Sequence, residues 1–131
     1  MKPLGLSSDE RIKSRKQFER LYAEGRKLYV FPFAVCWLAC DEAEAQRGAR
    51  LMVSVSKRRF KHAVDRNRAK RIMRECYRLA KPALYDALAS SNTHLLIAIS
   101  YSHNQLLDYH RLQASYTKLQ QKLIERINEE N

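Results

Sequence analysis

The sequence predicts an α+β domain of element order α-β-β-β-α-β-α, in which helices cover a four-stranded mixed sheet. Residues 28–40 are rich in aromatic and β-branched side chains, as strands are. Residues 94–100 form a nearly continuous apolar run of strand length. From residue 108 onward, apolar side chains recur at every third or fourth position, which indicates a helix with one buried face. The length of 131 residues suits a single domain, 1–131.

The chain begins with residues 1–12, which are predicted to be an irregular lead-in, and continues into the first helix. The helical pattern starts near residue 13. Ser14 is suited to cap this helix, because a serine hydroxyl accepts a hydrogen bond from the free backbone N–H groups of the first turn. Gly25 is suited to end it.

Three strands are predicted next. Pro32 cannot donate a hydrogen bond to a sheet ladder, so it divides the strand-like stretch into Arg26–Val30 and Phe33–Cys40. A polar loop follows at 41–48. Residues 50–56 then alternate between apolar and polar side chains, which indicates a strand with one face on the core.

A long helix follows the third strand. Pro82 is expected to end or kink it, with one or two further turns over residues 83–89. Its buried face is predicted at Ala69, Ile72, Cys76, Leu79 and Ala80. The last helix is expected to start at an Asp108 cap. Its buried stripe is predicted at Leu112, Tyr116, Leu119, Leu123 and Ile127.

The basic segment, residues 57–78, breaks two rules of helix stability. Ten of its 22 residues are Lys or Arg and two are acidic, a local charge of +8 out of a formal net charge of +11. Arg66, Lys70 and Arg74 form an i, i+4, i+8 row, and such like-charge pairs destabilise a helix by roughly 0.2–0.5 kcal/mol each. Cations in the first turns also oppose the helix dipole. A polyanion would relieve both penalties, so nucleic-acid binding is favoured over the alternative of a merely solvated face.

Composition limits the class of protein to which the chain can belong. With 45% hydrophobic residues, three glycines and three prolines, a folded domain is expected rather than disorder. No apolar run reaches about 18 residues and no secretory signal is visible, so no membrane partner and a cytoplasmic location are expected. Cys36, Cys40 and Cys76 lack metal or redox spacing and are expected to be reduced and mostly buried.

No catalytic constellation is visible in the sequence. The four histidines are scattered without metal-binding spacing, and neither a glycine-rich phosphate loop nor a nucleophile elbow is present. Acidic residues cluster at 41–44 and at the C-terminus, and they do not form the converging set that two-metal nucleases need. We therefore predict no catalytic residue and no metal site in the protein itself.

At the basic segment the chain resembles a known family. Ser-Val-Ser-Lys at 54–57, followed by Ala-Val-Asp-Arg-Asn-Arg-Ala-Lys-Arg-Ile-Met-Arg-Glu at 63–75, resembles the signature of the protein subunit of bacterial ribonuclease P. The predicted elements follow the family's order along nearly the whole chain. The resemblance implies an unusual left-handed β-α-β crossover, related to a ribosomal-protein domain, where general chain chirality would favour a right-handed one.

The resemblance implies a division of labour between protein and RNA. The RNA subunit would hold the catalytic Mg²⁺ ions and cleave the precursor tRNA, while this chain would bind both and assist removal of the 5′ leader. The implied partners are ribonuclease P RNA, in a 1:1 complex, and precursor tRNA, with no DNA. The predicted contacts to the RNA subunit are Lys57, Arg58, Arg59, Lys61, Arg66, Asn67, Arg68, Lys70, Arg71 and Arg74.

The resemblance also implies a cleft for the leader between the first helix and the sheet. Phe18 and Tyr22 match the family's aromatic positions there, although a core position is an equal alternative for Phe18. Stacking on an aromatic ring is worth about 1–3 kcal/mol per base and needs no particular base. The predicted leader contacts are Arg15, Lys16, Phe18, Tyr22, Phe33 and Cys36, with Lys57 at the rim.

The chain departs from the family pattern in two places. The turn at 57–61 is longer than the family's Lys-Lys-x-Gly turn and has no glycine. Cys36 stands where the family tends to place an aromatic on the central strand. Two other functions stay open: a general structured-RNA-binding or ribosome-associated protein, and a DNA-binding protein, although no helix-turn-helix precedes residue 66.

Overall fold

A computed structural model of the chain describes residues 8–130, so the prediction for residues 1–7 lies outside the described residues. The predicted class and element order are confirmed within that range. The helices and strands are α1 (Arg15–Glu24), β1 (Arg26–Val30), β2 (Phe33–Cys40), β3 (Ala49–Ser54), α2 (Ala63–Ser90), β4 (His94–Tyr101) and α3 (Tyr109–Glu130).

The four strands form one mixed sheet of order β1-β2-β4-β3. β1 pairs with β2 and β2 with β4 in antiparallel fashion, whereas β3 runs parallel to β4. The parallel pair is joined by α2, because parallel neighbours need a crossover connection. The left-handedness of that crossover stays a prediction.

The main core lies between one face of the sheet and helices α2 and α3. Phe33, Val35 and Trp37 of β2 alternate inward and meet the inward residues of β4 and β3. The predicted stripe of α3 is confirmed, since all five of its residues are buried. Asp108 caps α3 as predicted, accepting a hydrogen bond from the backbone N–H of Arg111 at 3.0 Å.

The buried face of α2 differs from the prediction. Leu79 is 40% exposed, and Ile72 and Ala80 are only partly buried. The buried residues are Ala69, Met73, Cys76, Tyr77, Lys81, Leu84 and Leu88. Lys81 lies on the buried face of α2, where a lysine is not expected. A face predicted from apolar residues alone was therefore placed at Leu79 and Ala80 instead.

Pro82 does not end α2, which continues unbroken for 28 residues. Pro82 is exposed, whereas its neighbours Lys81 and Leu84 are buried. Gln120 of α3 also donates to the Ala80 carbonyl at 2.9 Å. Packing on both sides of the proline therefore offsets the roughly 3 kcal/mol that proline costs within a helix.

The segment before α1 is more ordered than the predicted irregular lead-in. Ser8–Glu10 form one 3₁₀ turn, and the backbone N–H of Ile12 donates to the Leu51 carbonyl at 3.0 Å. Glu10 is fully buried. Its carboxylate accepts from Lys81 Nζ at 2.8 and 3.1 Å and from the Tyr85 hydroxyl. A buried ion pair thus fastens this segment to α2.

The predicted start and end of α1 agree with the structure, whereas the strand predicted over residues 50–56 is Ala49–Ser54. Ser14 caps α1, with its Oγ accepting from the Gln17 backbone N–H at 3.3 Å, and α1 ends at Gly25. All three cysteines are free thiols, and Cys36 and Cys76 are buried. The polar loop 41–48 contains a 3₁₀ turn at Glu42–Glu44. Among residues 8–130, no helix is both long and apolar enough to cross a membrane.

Lys81→Met is expected to lower the free energy of unfolding by about 3–5 kcal/mol, because it removes the ammonium group that pairs with the buried Glu10 carboxylate. Urea unfolding followed by circular dichroism measures this change. Lys118→Met removes an exposed lysine of α3 and serves as the matched control. A loss below about 1 kcal/mol for Lys81→Met would show that this ion pair contributes no more to stability than an exposed pair does.

Candidate nucleic-acid interface

Helix α1 covers only part of the second face of the sheet. Leu21 is the one residue of α1 that is buried, and it packs against Cys36, Leu96 and Ala98. The thiol of Cys36 donates to the Leu21 carbonyl at 3.3 Å. The helix is thus held over the middle of β2 and β4, and the sheet beyond it stays uncovered.

Gly25 is required where α1 meets the sheet. A Cβ atom at this position would lie 2.3 Å from the Leu21 carbonyl oxygen and 2.7 Å from Cys36 Sγ. Any side chain would therefore push the end of α1 away from β2. The predicted helix stop is also a close-approach position.

A partly buried ion pair anchors the outer side of α1. Arg20 reaches both carboxylate oxygens of Glu44, at 2.7 and 2.9 Å. The hydrogen bond from Arg20 lowers the pKa of Glu44, although partial burial opposes this shift. Gln17 donates to the Glu44 carbonyl at 3.4 Å. These contacts tie α1 to the loop between β2 and β3.

The uncovered part of the second face forms a groove of about 490 Å³, which we call the sheet groove. Two rows of paired residues cross this face of the sheet, opposite the main core, and their members in β1, β2 and β4 line the groove. One row is Lys27, Cys36, Ala98 and Met52. The other is Tyr29, Ala34, Ser100 and Ser54.

The sheet groove has a floor of small side chains and aromatic walls. Ala34, Cys36, Ala98 and Ser100 line the floor, while Tyr22 of α1 and Tyr29 of β1 line its sides. A flat aromatic group can therefore approach the sheet closely. At the end of the floor, the hydroxyls of Ser54 and Ser100 lie 3.0 Å apart.

The chemistry of the groove is that of a binding site. Burial raises the pKa of the Cys36 thiol, which opposes formation of the thiolate. Tyrosine rings offer stacking surfaces, and Lys27 and the serine hydroxyls offer hydrogen bonds. This set suits an unpaired nucleobase with its ribose and phosphate.

The predicted leader contacts are only partly brought together. Tyr22 and Cys36 line the groove, and Phe18 is half-buried with its ring centroid 4.7 Å from that of Tyr22. Arg15 and Lys16 are exposed on α1, where Arg15 pairs with Glu19 at 2.9 Å.

The prediction for Phe33 is wrong. Its side chain is 1% exposed and packs against Tyr101 and Tyr116 in the main core. It differs from Cys36 by an odd number of positions along β2, so the two side chains point to opposite faces. The prediction ignored this alternation.

Sequence reasoning missed Lys27 and Tyr29, which line the groove. Tyr29 is 54% exposed, a large fraction for an aromatic residue in a strand. The alternation of Lys27 and Tyr29 with Leu28 and Val30 was the available signal. It separates a polar, open face of β1 from an apolar, core-facing one.

The basic surface comprises the predicted RNA-subunit contacts, and the structure leaves most of them open to solvent. Arg66, Lys70 and Arg74 are half-buried, and the other members are exposed. Among residues 8–130, no salt bridge joins a cation of this surface to a carboxylate. Its members are Lys57, Arg58, Arg59, Lys61, Arg66, Asn67, Arg68, Lys70, Arg71 and Arg74.

Two arginines of the basic surface shape the loop between β3 and α2. Arg66 donates to the carbonyls of Phe60 and Lys61, both at 2.9 Å. Arg59 donates to Asn104 Oδ1 at 3.1 Å and to Ser102 Oγ at 3.4 Å. These bonds hold the loop in place although it contains no glycine.

Arg74 lies at the other end of the basic surface, beside the segment before α1. Burial lowers its pKa, and the positive charge of Arg11 contributes to the same shift. A nearby anion would offset both effects. The row Arg66, Lys70 and Arg74 is therefore only partly solvated, in contrast to the outward-facing Arg71.

The side chains present do not fit a protein-held Mg²⁺ ion. Within residues 8–130, no group of three or more His, Cys, Asp or Glu residues lies close enough together to hold a metal. The buried carboxylate of Glu10 is paired with Lys81, and Glu44 is paired with Arg20.

Comparison with known proteins decides the family. A family model described as Ribonuclease P matches residues 6–124. The chain belongs to the ribonuclease P protein family. The ribonuclease P protein component of Porphyromonas gingivalis is 35% identical over 114 residues, which are 87% of this chain and 82% of that protein. The counterpart from an Exiguobacterium species is 32% identical, over 71% of this chain and 73% of that protein.

Solved ribonuclease P proteins share the fold. The Staphylococcus aureus protein superposes with a TM-score of 0.64 at 27% identity, covering 83% of this chain and 90% of that chain. The Thermotoga maritima protein superposes with a TM-score of 0.67 at 22% identity, covering 86% and 96%, and it supports the fold alone. As a ribonuclease P protein component, the chain is the protein subunit of a ribonucleoprotein endoribonuclease and acts in tRNA processing.

Glu44→Gln is expected to lower the free energy of unfolding at neutral pH by up to about 1 kcal/mol, as is usual for a partly exposed ion pair. The folded-state pKa of Glu44 is lowered, so its contribution is complete above the ordinary carboxylate pKa and is lost as pH falls through the lowered value. The difference between wild type and variant should therefore vanish in acid. Urea titrations at several pH values measure it.

Glu19→Gln is the matched control for this change, because Glu19 forms an exposed pair on the same helix. It should have a smaller effect. A difference between wild type and Glu44→Gln that persists unchanged in acid would mean that the Glu44 charge does not anchor α1.

Proposed function

We propose that this protein docks on the catalytic RNA subunit through its basic surface and holds the single-stranded 5′ leader of precursor tRNA in the sheet groove. Cleavage of the backbone, and the Mg²⁺ ions that support it, belong to the RNA subunit. The protein assists by raising affinity for the precursor over the mature tRNA. The observation that carries the proposal is the sheet groove. Its floor consists of small side chains, and Tyr22 and Tyr29 form its walls.

The shape of the groove supports a single strand as its ligand. A duplex presents paired bases and a phosphate exterior, whereas an unpaired strand can place its bases flat on aromatic side chains. The floor residues are too small to obstruct a base. Stacking on Tyr22 and Tyr29 needs no particular base, which suits a protein that must accept leaders of different sequence.

The electrostatics of the basic surface support a folded polyanion as the second partner. Its exposed cations, such as Arg68 and Arg71, have no carboxylate partner among residues 8–130. The loop at 57–61 is preorganised by Arg59 and Arg66, so little ordering is needed on binding. The N-cap of α2, His62, makes no side-chain capping bond. A phosphate at this helix start would be stabilised by the helix dipole.

Reconstitution tests the proposal. The protein is added to a bacterial ribonuclease P RNA at low Mg²⁺, and removal of a 5′ leader from precursor tRNA is followed. The proposal expects faster processing than with the RNA alone and no processing by the protein without RNA. Unchanged processing would reject it, and preferential capture of ribosomal RNA from cells would favour a general RNA-binding role instead.

Arg68→Ala combined with Arg71→Ala is expected to weaken binding of the RNA subunit and to flatten its salt dependence. For each phosphate that the protein no longer neutralises, the slope of log K against log salt falls by about 0.7–0.9, so this double variant should lower it by about 1.4–1.8. Filter binding across a salt series measures the slope. Lys118→Ala with Lys122→Ala removes two exposed cations from α3 as a control. An unchanged slope in the arginine variant would place the RNA elsewhere.

Tyr22→Ala is expected to weaken binding of precursor tRNA to the reconstituted holoenzyme by about 5- to 150-fold, the equivalent of one stacked base. Binding of mature tRNA, which lacks the leader, should not change. Tyr22→Phe keeps the ring and should bind as wild type does. Equal losses for precursor and mature tRNA would show that Tyr22 does not contact the leader.

A further inference from the structure

A second exposed aromatic site lies just beyond the end of the sheet groove. The groove row Tyr29, Ala34, Ser100 and Ser54 is next to the end of the sheet, because β1 ends at Val30 and β4 at Tyr101. Phe31 follows in the hairpin between β1 and β2. It is 45% exposed, which is a large apolar area for a surface residue.

Hydrogen bonds and a ring contact hold Phe31 in place. The backbone N–H of Ser102 donates to the Pro32 carbonyl at 2.7 Å, which ties the hairpin to the chain leaving β4. The ring of His103 meets the ring of Phe31 edge to face, with centroids 4.9 Å apart. Such pairs are worth about 0.5–1.5 kcal/mol beyond their buried area, so the orientation of Phe31 is restrained.

The same loop binds a cation of the basic surface. Ser102 and Asn104, on either side of His103, accept hydrogen bonds from the guanidinium of Arg59. Three chain segments therefore converge here, and we call Phe31, His103 and Arg59 the hairpin corner. An exposed, restrained ring next to unpaired positive charge has the composition of a stacking platform for single-stranded RNA.

We propose that Phe31 in the hairpin corner stacks on an unpaired base of the precursor strand where that strand leaves the sheet groove. This inference rests on the proposed leader function of the groove and extends the footprint of the strand past Tyr29. Continuity favours the strand in the groove as the ligand, because Tyr29 and Phe31 are two residues apart at one edge of the sheet. His103 supports the ring, and Arg59 supplies charge for the adjoining phosphate.

A double-mutant cycle between the protein and the leader tests the inference. Leaders carrying one abasic nucleotide at successive positions are bound to holoenzyme made with wild-type protein, Phe31→Ala or Tyr22→Ala. At one position, removal of the base should weaken wild-type binding by about 5- to 150-fold and should have no effect in the Phe31→Ala holoenzyme. That position should neighbour, and differ from, the positions coupled to Tyr22.

Control variants distinguish failure of this inference from failure of the proposed function. Leu79→Ala removes an exposed apolar side chain of similar exposure, 40%, from α2 and should not couple to any position. Phe31→Trp should restore coupling, and Phe31→Leu replaces Phe31→Ala if that variant does not fold. If Tyr22 couples and Phe31 does not, the inference fails and the proposed function stands. If neither couples, the proposed function fails too.

One further outcome would also overturn the inference. If Phe31→Ala weakens binding of the RNA subunit alone, without coupling to a leader position, the hairpin corner docks on that subunit and not on the precursor strand.

Discussion

The contact of Leu21 with the centre of the sheet determines the architecture of the candidate site. It is the single buried side chain of α1, and burying a leucine stabilises by about 1.5–3 kcal/mol. Because α1 packs through Leu21 against Cys36, Leu96 and Ala98, the part of this face at Ala34 and Ser100 stays uncovered. Gly25 makes this placement possible, because it lets the helix end and the strand backbone approach each other. The groove is thus the part of the sheet that α1 does not reach.

Cations that pair with carboxylates and the cations of the basic surface lie in different parts of this molecule. Several carboxylates are paired with cations that have structural tasks, as in Glu10 with Lys81, Glu44 with Arg20 and Glu75 with Arg78. The cations of the basic surface have no such partners among residues 8–130. Most of the net charge is therefore concentrated on one region, which produces a directional field instead of a diffuse one. A field of this kind raises the rate at which a polyanion arrives in the correct orientation.

Local sequence patterns predicted a structural feature correctly wherever that feature depends on residues of a single helix or strand. The stripe of α3, the caps at Ser14 and Asp108 and the break at Pro32 all depend on neighbours within a few residues. The resemblance to the family supplied the basic surface and the idea of a cleft, but not its lining. Tyr29 was missed and Phe33 was assigned to the wrong face because alternation along β1 and β2 was not applied. The floor of the groove, in contrast, depends on strand pairing, which places Ala34 beside Ser100 and Cys36 beside Ala98.

Long-range pairing explains the errors in α2. Lys81 is buried only because Glu10, 71 positions earlier, supplies the opposite charge, and no local pattern signals this. Pro82 is tolerated because α2 is held by packing on both sides of it, which propensity does not include. Sequence reasoning therefore failed where a residue's environment is set by a distant segment.

The buried pair of Glu10 and Lys81 has a consequence for shortening the chain. A protein trimmed to begin at residue 11 would keep every α-helix and strand named above, yet it would lack the carboxylate that binds the buried ammonium group of Lys81. The trimmed chain should unfold more easily although nothing in its sheet or its groove has been removed. Residues ahead of the first helix are thus part of the folding unit, and the boundary of the minimal protein lies before Glu10.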